Sequence, residues 1–105
     1  MKAPYRRMIE KLELREANTG PPWMVYILEC ADGSFYTGIT NDLERRLAQH
    51  QAGRAARYTR SRLPVVLRYR EHCADRSAAL VREARIKALG RKGKERLVAA
   101  GAEPG

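Results

Sequence analysis

Hydrophobic and polar positions change rhythm several times along this chain, and each change predicts an element. Up to residue 20 charges dominate, with Met8, Ile9, Leu12 and Leu14 spaced for a helix, before Asn18-Thr19-Gly20-Pro21-Pro22 breaks the chain. Residues 1–22 therefore read as a helical N-terminal extension ahead of a domain over 23–100, with 101–105 as a tail. From Trp23 the pattern turns to Val25-Tyr26-Ile27-Leu28, then Ala31-Asp32-Gly33, then Phe35-Tyr36-Thr37-Gly38-Ile39-Thr40. Two β-rich runs around a turn signal predict a hairpin. Asn41, with Glu44 three residues on, predicts a capped helix over about 42–52 that Gly53 stops. An Arg-rich loop containing Tyr58 follows, and Leu63–Tyr69 reads as a third strand with Pro64 near its start. Asp75 or Ser77 opens a second helix running to about Leu89. Gly90-Arg91-Lys92-Gly93 separates it from a short helix near 93–99, ended by Gly101.

The loop of the hairpin decides which side chains share a face, because a one-residue slip moves every side chain to the other side. A two-residue Asp-Gly turn would separate Tyr26 from Tyr36. A three-residue loop, Ala31-Asp32-Gly33 with Gly33 in the left-handed position, pairs Leu28 with Tyr36 and Tyr26 with Gly38. The second is preferred. It collects Val25, Ile27, Phe35 and Ile39 as core on one face and makes Tyr26 and Tyr36 diagonal neighbours on the other, lining one shallow pocket beside Gly38.

Both longer helices carry polar groups on stripes that should be apolar. In the first, Leu43, Arg46, Leu47 and His50 follow the i, i+3, i+4, i+7 spacing of a packed face. In the second, Ala79, Leu80 and Ile86 surround Glu83 at helical spacing. Each residue has an ordinary explanation by itself. Tyrosines pack on sheets, an arginine buries its stem and keeps its head in water, and Glu83 has Lys87 one turn on as a surface partner. Their convergence is what points to chemistry: two phenols, a guanidinium, an imidazole and a carboxylate are the parts needed to activate water, hold a phosphate and bind a divalent cation.

Composition narrows the partner. With 21 Lys plus Arg against 12 Asp plus Glu, the formal charge is 21 − 12 = +9 over 105 residues, spread through the helical segments. A polyanion is the expected partner of a single domain of this size. Such attraction supplies affinity without sequence information. Arg54, Arg57, Arg60, Arg62, Arg91, Lys92 and Lys94 are the expected phosphate contacts. Cys30 and Cys73 form neither a disulfide framework nor a zinc motif, and no apolar run is long enough for a membrane span or signal peptide, so the expected location is the cytoplasm.

Met24-Val25-Tyr26 and Tyr36-Thr37-Gly38 lie about ten residues apart on the hairpin. Together with the run to Arg46 and His50 and the later Glu83-Ala84-Arg85-Ile86-Lys87, they resemble the GIY-YIG nuclease superfamily, in particular its small stand-alone bacterial members. The likeness covers roughly residues 23–100; Met24 stands where the first motif has Gly, and no Asn occurs beyond Asn41, where some members carry a late one. It implies an α/β fold of the α+β type, a three-stranded antiparallel sheet flanked by helices. It also implies a divalent-metal-dependent DNA endonuclease or nickase, selective for structure rather than sequence and needing no small-molecule cofactor. By the resemblance Tyr26, alone or with His50, is the general base, Tyr36 is central to the site, and Arg46 stabilises the transition state. Glu83 would bind one Mg²⁺ or Mn²⁺. The alternative is a non-catalytic module of the same fold that grips DNA or RNA.

Overall fold

The structure, a computed structural model, describes residues 22–101. The predicted N-terminal helix lies outside the described residues. Strand β1 (Trp23–Glu29) occupies the centre of a three-stranded antiparallel sheet of order β2-β1-β3, with β2 (Phe35–Thr40) and β3 (Val66–Cys73) at its edges. Five consecutive residues of β1, Met24 to Leu28, are buried. Both faces of this strand are covered, which is why it reads as an apolar run rather than an alternation.

The hairpin has the three-residue loop. Cys30 N–H donates to the Ser34 carbonyl at 2.8 Å, Gly33 takes a φ of +85°, and Tyr26 stands opposite Gly38 with Leu28 opposite Tyr36. Helix α1 (Leu43–Gln51) packs Leu43 and Leu47 against the face that holds Tyr26 and Leu28. Helices α3 (Arg76–Ala88) and α4 (Gly90–Ala100) cover the other face, where Ala79 and Ile86 meet Val25, Ile27 and Tyr69.

Several boundaries differ from expectation. The cap of α1 is Asp42, not Asn41: its carboxylate accepts from Arg45 N–H at 3.2 Å, placing a full negative charge on the helix N-terminus. Asp75, not Ser77, caps α3 by accepting from Ala78 N–H at 2.8 Å. The Arg-rich loop contains a short helix, α2 (Arg57–Arg60). Strand β3 begins and ends later than predicted. Pro64 follows a cis bond, Val65 N–H goes to the Gln51 side chain, and the ladder instead continues through Arg70, Glu71, His72 and Cys73 opposite Trp23–Tyr26. Charged residues concealed that half of the strand, since Glu71 is held by Arg82 and Tyr69 rather than by apolar packing. At the other end Gly90 alone, at φ +73°, breaks α3 from α4; Gly93 is helical and packs against Leu89 so closely that a Cβ would lie 2.3 Å away.

Candidate active site

Tyr26 is the point on which the site is built. The strand directs its ring to the α1 face, and the space above Gly38 receives its hydroxyl. A Cβ on Gly38 would stand 2.6 Å from that oxygen, so the glycine is required by the phenol rather than by the backbone. Tyr26 is only 1 % exposed, and so is His50, whose Nε2 lies 2.9 Å from the Tyr26 hydroxyl. The Tyr36 ring closes the group, with its centroid 6.4 Å from Tyr26 and 5.3 Å from His50. The two phenols are therefore neighbours, but they do not line an open pocket as expected: Tyr26 is enclosed by His50 and Tyr36, because α1 lays its histidine directly over the strand.

Helix α1 supplies both His50 and, one turn earlier, the half-buried Arg46, whose Nη1 donates to Gln49 Oε1 at 3.0 Å. Arg46 and Gln49 line an open cleft of about 240 Å³ with Trp23, Thr40 and Asp42. Arg45 joins Arg46 in the lining, so the cleft presents two guanidinium groups. Burial pushes Tyr26 up to about 12, helped by neighbouring Tyr36 and the Glu83 carboxylate, while the charge and hydrogen bonding of Arg46 pull the other way. Burial, and secondarily the positive charge of Arg46, hold His50 down at about 4. Both groups are neutral at pH 7.

Glu83 comes from α3, on the opposite face of the sheet, yet its charge is felt at Tyr26. Its carboxylate, 19 % exposed, meets Lys87 Nζ at 3.3 Å, so the surface partner expected at i+4 is present. Leu80, expected beside it on an inward stripe, is instead 40 % exposed; Ala79 and Ile86 are the buried pair. Among the described residues no group of three or more His, Cys, Asp or Glu side chains converges as a metal cage. A single part-buried carboxylate nevertheless suits Mg²⁺, which keeps several waters and is commonly held by one or two carboxylates plus substrate phosphates.

Two residues absent from the sequence-level site complete it. Thr59 on α2, fully buried, places its hydroxyl oxygen 2.8 Å from His50 Nδ1. Tyr58 stacks on Tyr36 at 6.2 Å and 21°, and Arg62 lies 3.9 Å over its ring. The available signal was an aromatic and a β-branched hydroxyl set among arginines, which reads equally as a solvated loop. Of the expected phosphate contacts, Arg54, Arg57, Arg60 and Lys92 are exposed. Arg62 is tied to Asp32 at 3.0 Å and to the Tyr58 carbonyl, and Arg91 to Glu95 and the Gly33 carbonyl. Lys94 is half-buried in a second cavity of about 200 Å³ with Ser34, Lys87 and Arg91, where burial and the charge of Lys87 lower its pKa.

Residues 22–96 match the family model for the GIY-YIG catalytic domain. A UPF0213 protein of Desulfotalea psychrophila is 54% identical over 81 residues, covering 76% of this chain and 74% of that protein. One of Halobacterium salinarum is 53% identical over 73 residues, covering 70% and 95%. The solution structure of the UPF0213 protein BH0048 from Bacillus halodurans is 44% identical, covers 74% of this chain and 83% of its own, and superposes with a TM-score of 0.49.

Proposed function

Since the chain belongs to the GIY-YIG family, we propose that it hydrolyses phosphodiester bonds in nucleic acid, as a divalent-metal-dependent DNA endonuclease or nickase that selects structure rather than sequence. The observation that carries this reading is the buried 2.9 Å contact between the Tyr26 hydroxyl and His50 Nε2, with Arg46 beside it. A phenol whose oxygen can pass its proton directly to an imidazole is a general base with somewhere to send the proton. General bases typically contribute about 10²–10⁴ in rate.

The chain's own residues divide the work. Tyr26 takes a proton from the attacking water as its own moves to His50. Arg46, at the edge of the cleft, binds the scissile phosphate and offsets the charge that grows on it in the transition state. Tyr36 shields the Tyr26–His50 pair from bulk water. Glu83, with water and substrate phosphate oxygens, would hold one Mg²⁺ or Mn²⁺, which supplies Lewis-acid stabilisation of the phosphate and the leaving oxygen. Neutralising the Glu83 charge also removes one of the causes that hold Tyr26 up, and Arg46 acts in the same direction. The exposed Arg54, Arg57 and Arg60, with Lys92 and Lys94, would follow the backbone on either side, contacts that position the nucleic acid without reading its bases.

The test is cleavage of duplex, branched and single-stranded DNA at fixed salt with Mg²⁺ or Mn²⁺, comparing wild type with Glu83→Ala and Arg46→Ala. Each substitution is expected to lower the rate at least about a hundredfold, the scale for losing one charge-stabilising group. Unchanged cleavage in both variants would sink the site. Tight binding with no cleavage by the wild type would support the non-catalytic module instead.

A further inference from the structure

The Thr59 hydroxyl has one proton and two neighbours. Its oxygen lies 3.2 Å from the Ala56 carbonyl oxygen and 2.8 Å from His50 Nδ1. A carbonyl can only accept, so the Thr59 proton belongs to Ala56, and the Thr59 oxygen is left as an acceptor. His50 Nδ1 must then carry a hydrogen and donate it. A neutral imidazole has one N–H, which leaves Nε2 as the bare nitrogen, and the 2.9 Å contact with Tyr26 becomes Tyr26 O–H donating to Nε2. The reverse order, with Thr59 donating to Nδ1, would give up the bond to Ala56, whose carbonyl would keep only the Arg60 N–H at 3.0 Å.

The groups around His50 agree with this assignment. Tyr26 comes from β1, Tyr36 from β2 and Arg46 from its own helix, and none of them offers a carboxylate that would favour an imidazolium. The short helix bearing Thr59 is held in place by its neighbour: Tyr58 is stacked between Tyr36 and Arg62, and Arg62 is anchored to Asp32 in the hairpin loop.

We propose that Thr59 is a positioning residue that fixes the Nδ1-protonated tautomer of His50, so that Nε2 is free to take the proton of Tyr26. The tautomer assignment stands on the hydrogen bonds alone; its use in catalysis rests on the phosphodiesterase reading. In that reaction the water oxygen bonds to phosphorus and loses a proton to the Tyr26 oxygen, whose own proton moves to Nε2. The P–O bond to the leaving oxygen breaks, that oxygen is protonated from solvent, and His50 afterwards returns its extra proton through Tyr26. The imidazolium keeps its Nδ1–H on Thr59 throughout, so no side chain has to rotate.

The experiment is nitrogen NMR of ¹⁵N-histidine-labelled protein near pH 7, for wild type, Thr59→Ser and Thr59→Val, with DNA cleavage measured alongside. The expected result is a protonated Nδ1 and bare Nε2 at His50 in wild type and Thr59→Ser. In Thr59→Val, where Nδ1 has no acceptor, the hydrogen moves to Nε2 in part or in full. Cleavage should survive in Thr59→Ser and fall at least about tenfold in Thr59→Val, a fraction of what a general base supplies. A protonated Nε2 in the wild type overturns the proposal without any variant being needed, as does a Thr59→Val protein that keeps both the Nδ1–H form and the wild-type rate. If the tautomers behave as expected but no form of the protein cleaves DNA, the positioning role of Thr59 is upheld and the nuclease reading is what fails.

Discussion

The two faces of the sheet are built from the same three strands but held by different kinds of interaction. On the α3–α4 face, Val25, Ile27, Tyr69, Ala79 and Ile86 form a core whose one polar side-chain atom, the Tyr69 hydroxyl, reaches out to Glu71, and Thr37, alternating with Phe35 and Ile39 along β2, is buried with its hydroxyl unpartnered. On the α1 face, Leu28 and Val65 are interleaved with Tyr26, and His50 and Thr59 are buried against them with every named polar atom partnered. The first face is held mainly by apolar contact. The second buries polar groups that must all be satisfied at once. Stability and chemistry are thus divided across a single layer of backbone, with Glu83 as the one candidate site residue supplied from the stability side.

Ile86→Ala should break the first face with the largest effect. Ile86 is completely buried, and truncating such a residue costs about 2–5 kcal/mol. Urea denaturation should show that loss while the surviving folded fraction keeps the Tyr26–His50 hydrogen bond; a stability change below about 1 kcal/mol would mean that the α3 packing is not what holds this face.

Acid should act on the second face alone. His50 has a folded pKa of about 4, below its ordinary 6.5. The unfolded chain binds the proton first, so the stability contributed by neutral, buried His50 is complete above about pH 6.5. It is lost progressively as pH falls toward 4. At ~1.4 kcal/mol per pKa unit the loss reaches about 3 kcal/mol by pH 4. The stability difference between wild type and His50→Gln should change by that amount across this range. An unchanged difference would show that His50 titrates alike in the folded and unfolded chain.

Gly38→Ala sharpens the contrast with the smallest change in stability. The added methyl would meet the Tyr26 hydroxyl oxygen at 2.6 Å and displace it from His50. Overpacking of this kind costs about 1–3 kcal/mol, yet cleavage should fall by far more than the lost stability predicts. Full activity in Gly38→Ala would mean that the position of the phenol is not critical.

Much of this was legible in the sequence because it depends on local periodicity. The hairpin register followed from Ala31-Asp32-Gly33, and the inward Arg46 and His50 from helical spacing in a stripe with Leu43 and Leu47. Gly53 and Gly101 marked the helix ends correctly. The second half of β3 was hidden because its inward Glu71 is satisfied by Arg82 from α3, a partner 11 residues away that no local pattern reveals. The cap of α1 was misplaced by one residue because Asn41 and Asp42 are both competent caps and only the backbone geometry chooses between them.

The sequence by itself determined the fold class, the hairpin that sets Tyr26 beside Tyr36, and the chemical types available to the site, since these follow from side-chain alternation, helical pitch and turn chemistry. Tertiary structure decided which of those groups meet. Tyr26 and His50 are separated by 24 positions, and whether they share a base role or compete for it depends on a contact 2.9 Å long. Thr59 entered the site only because the chain folds a four-residue helix back over α1. Burial and long-range contact are properties of the packed molecule, and they brought the two candidate bases within hydrogen-bonding distance of each other.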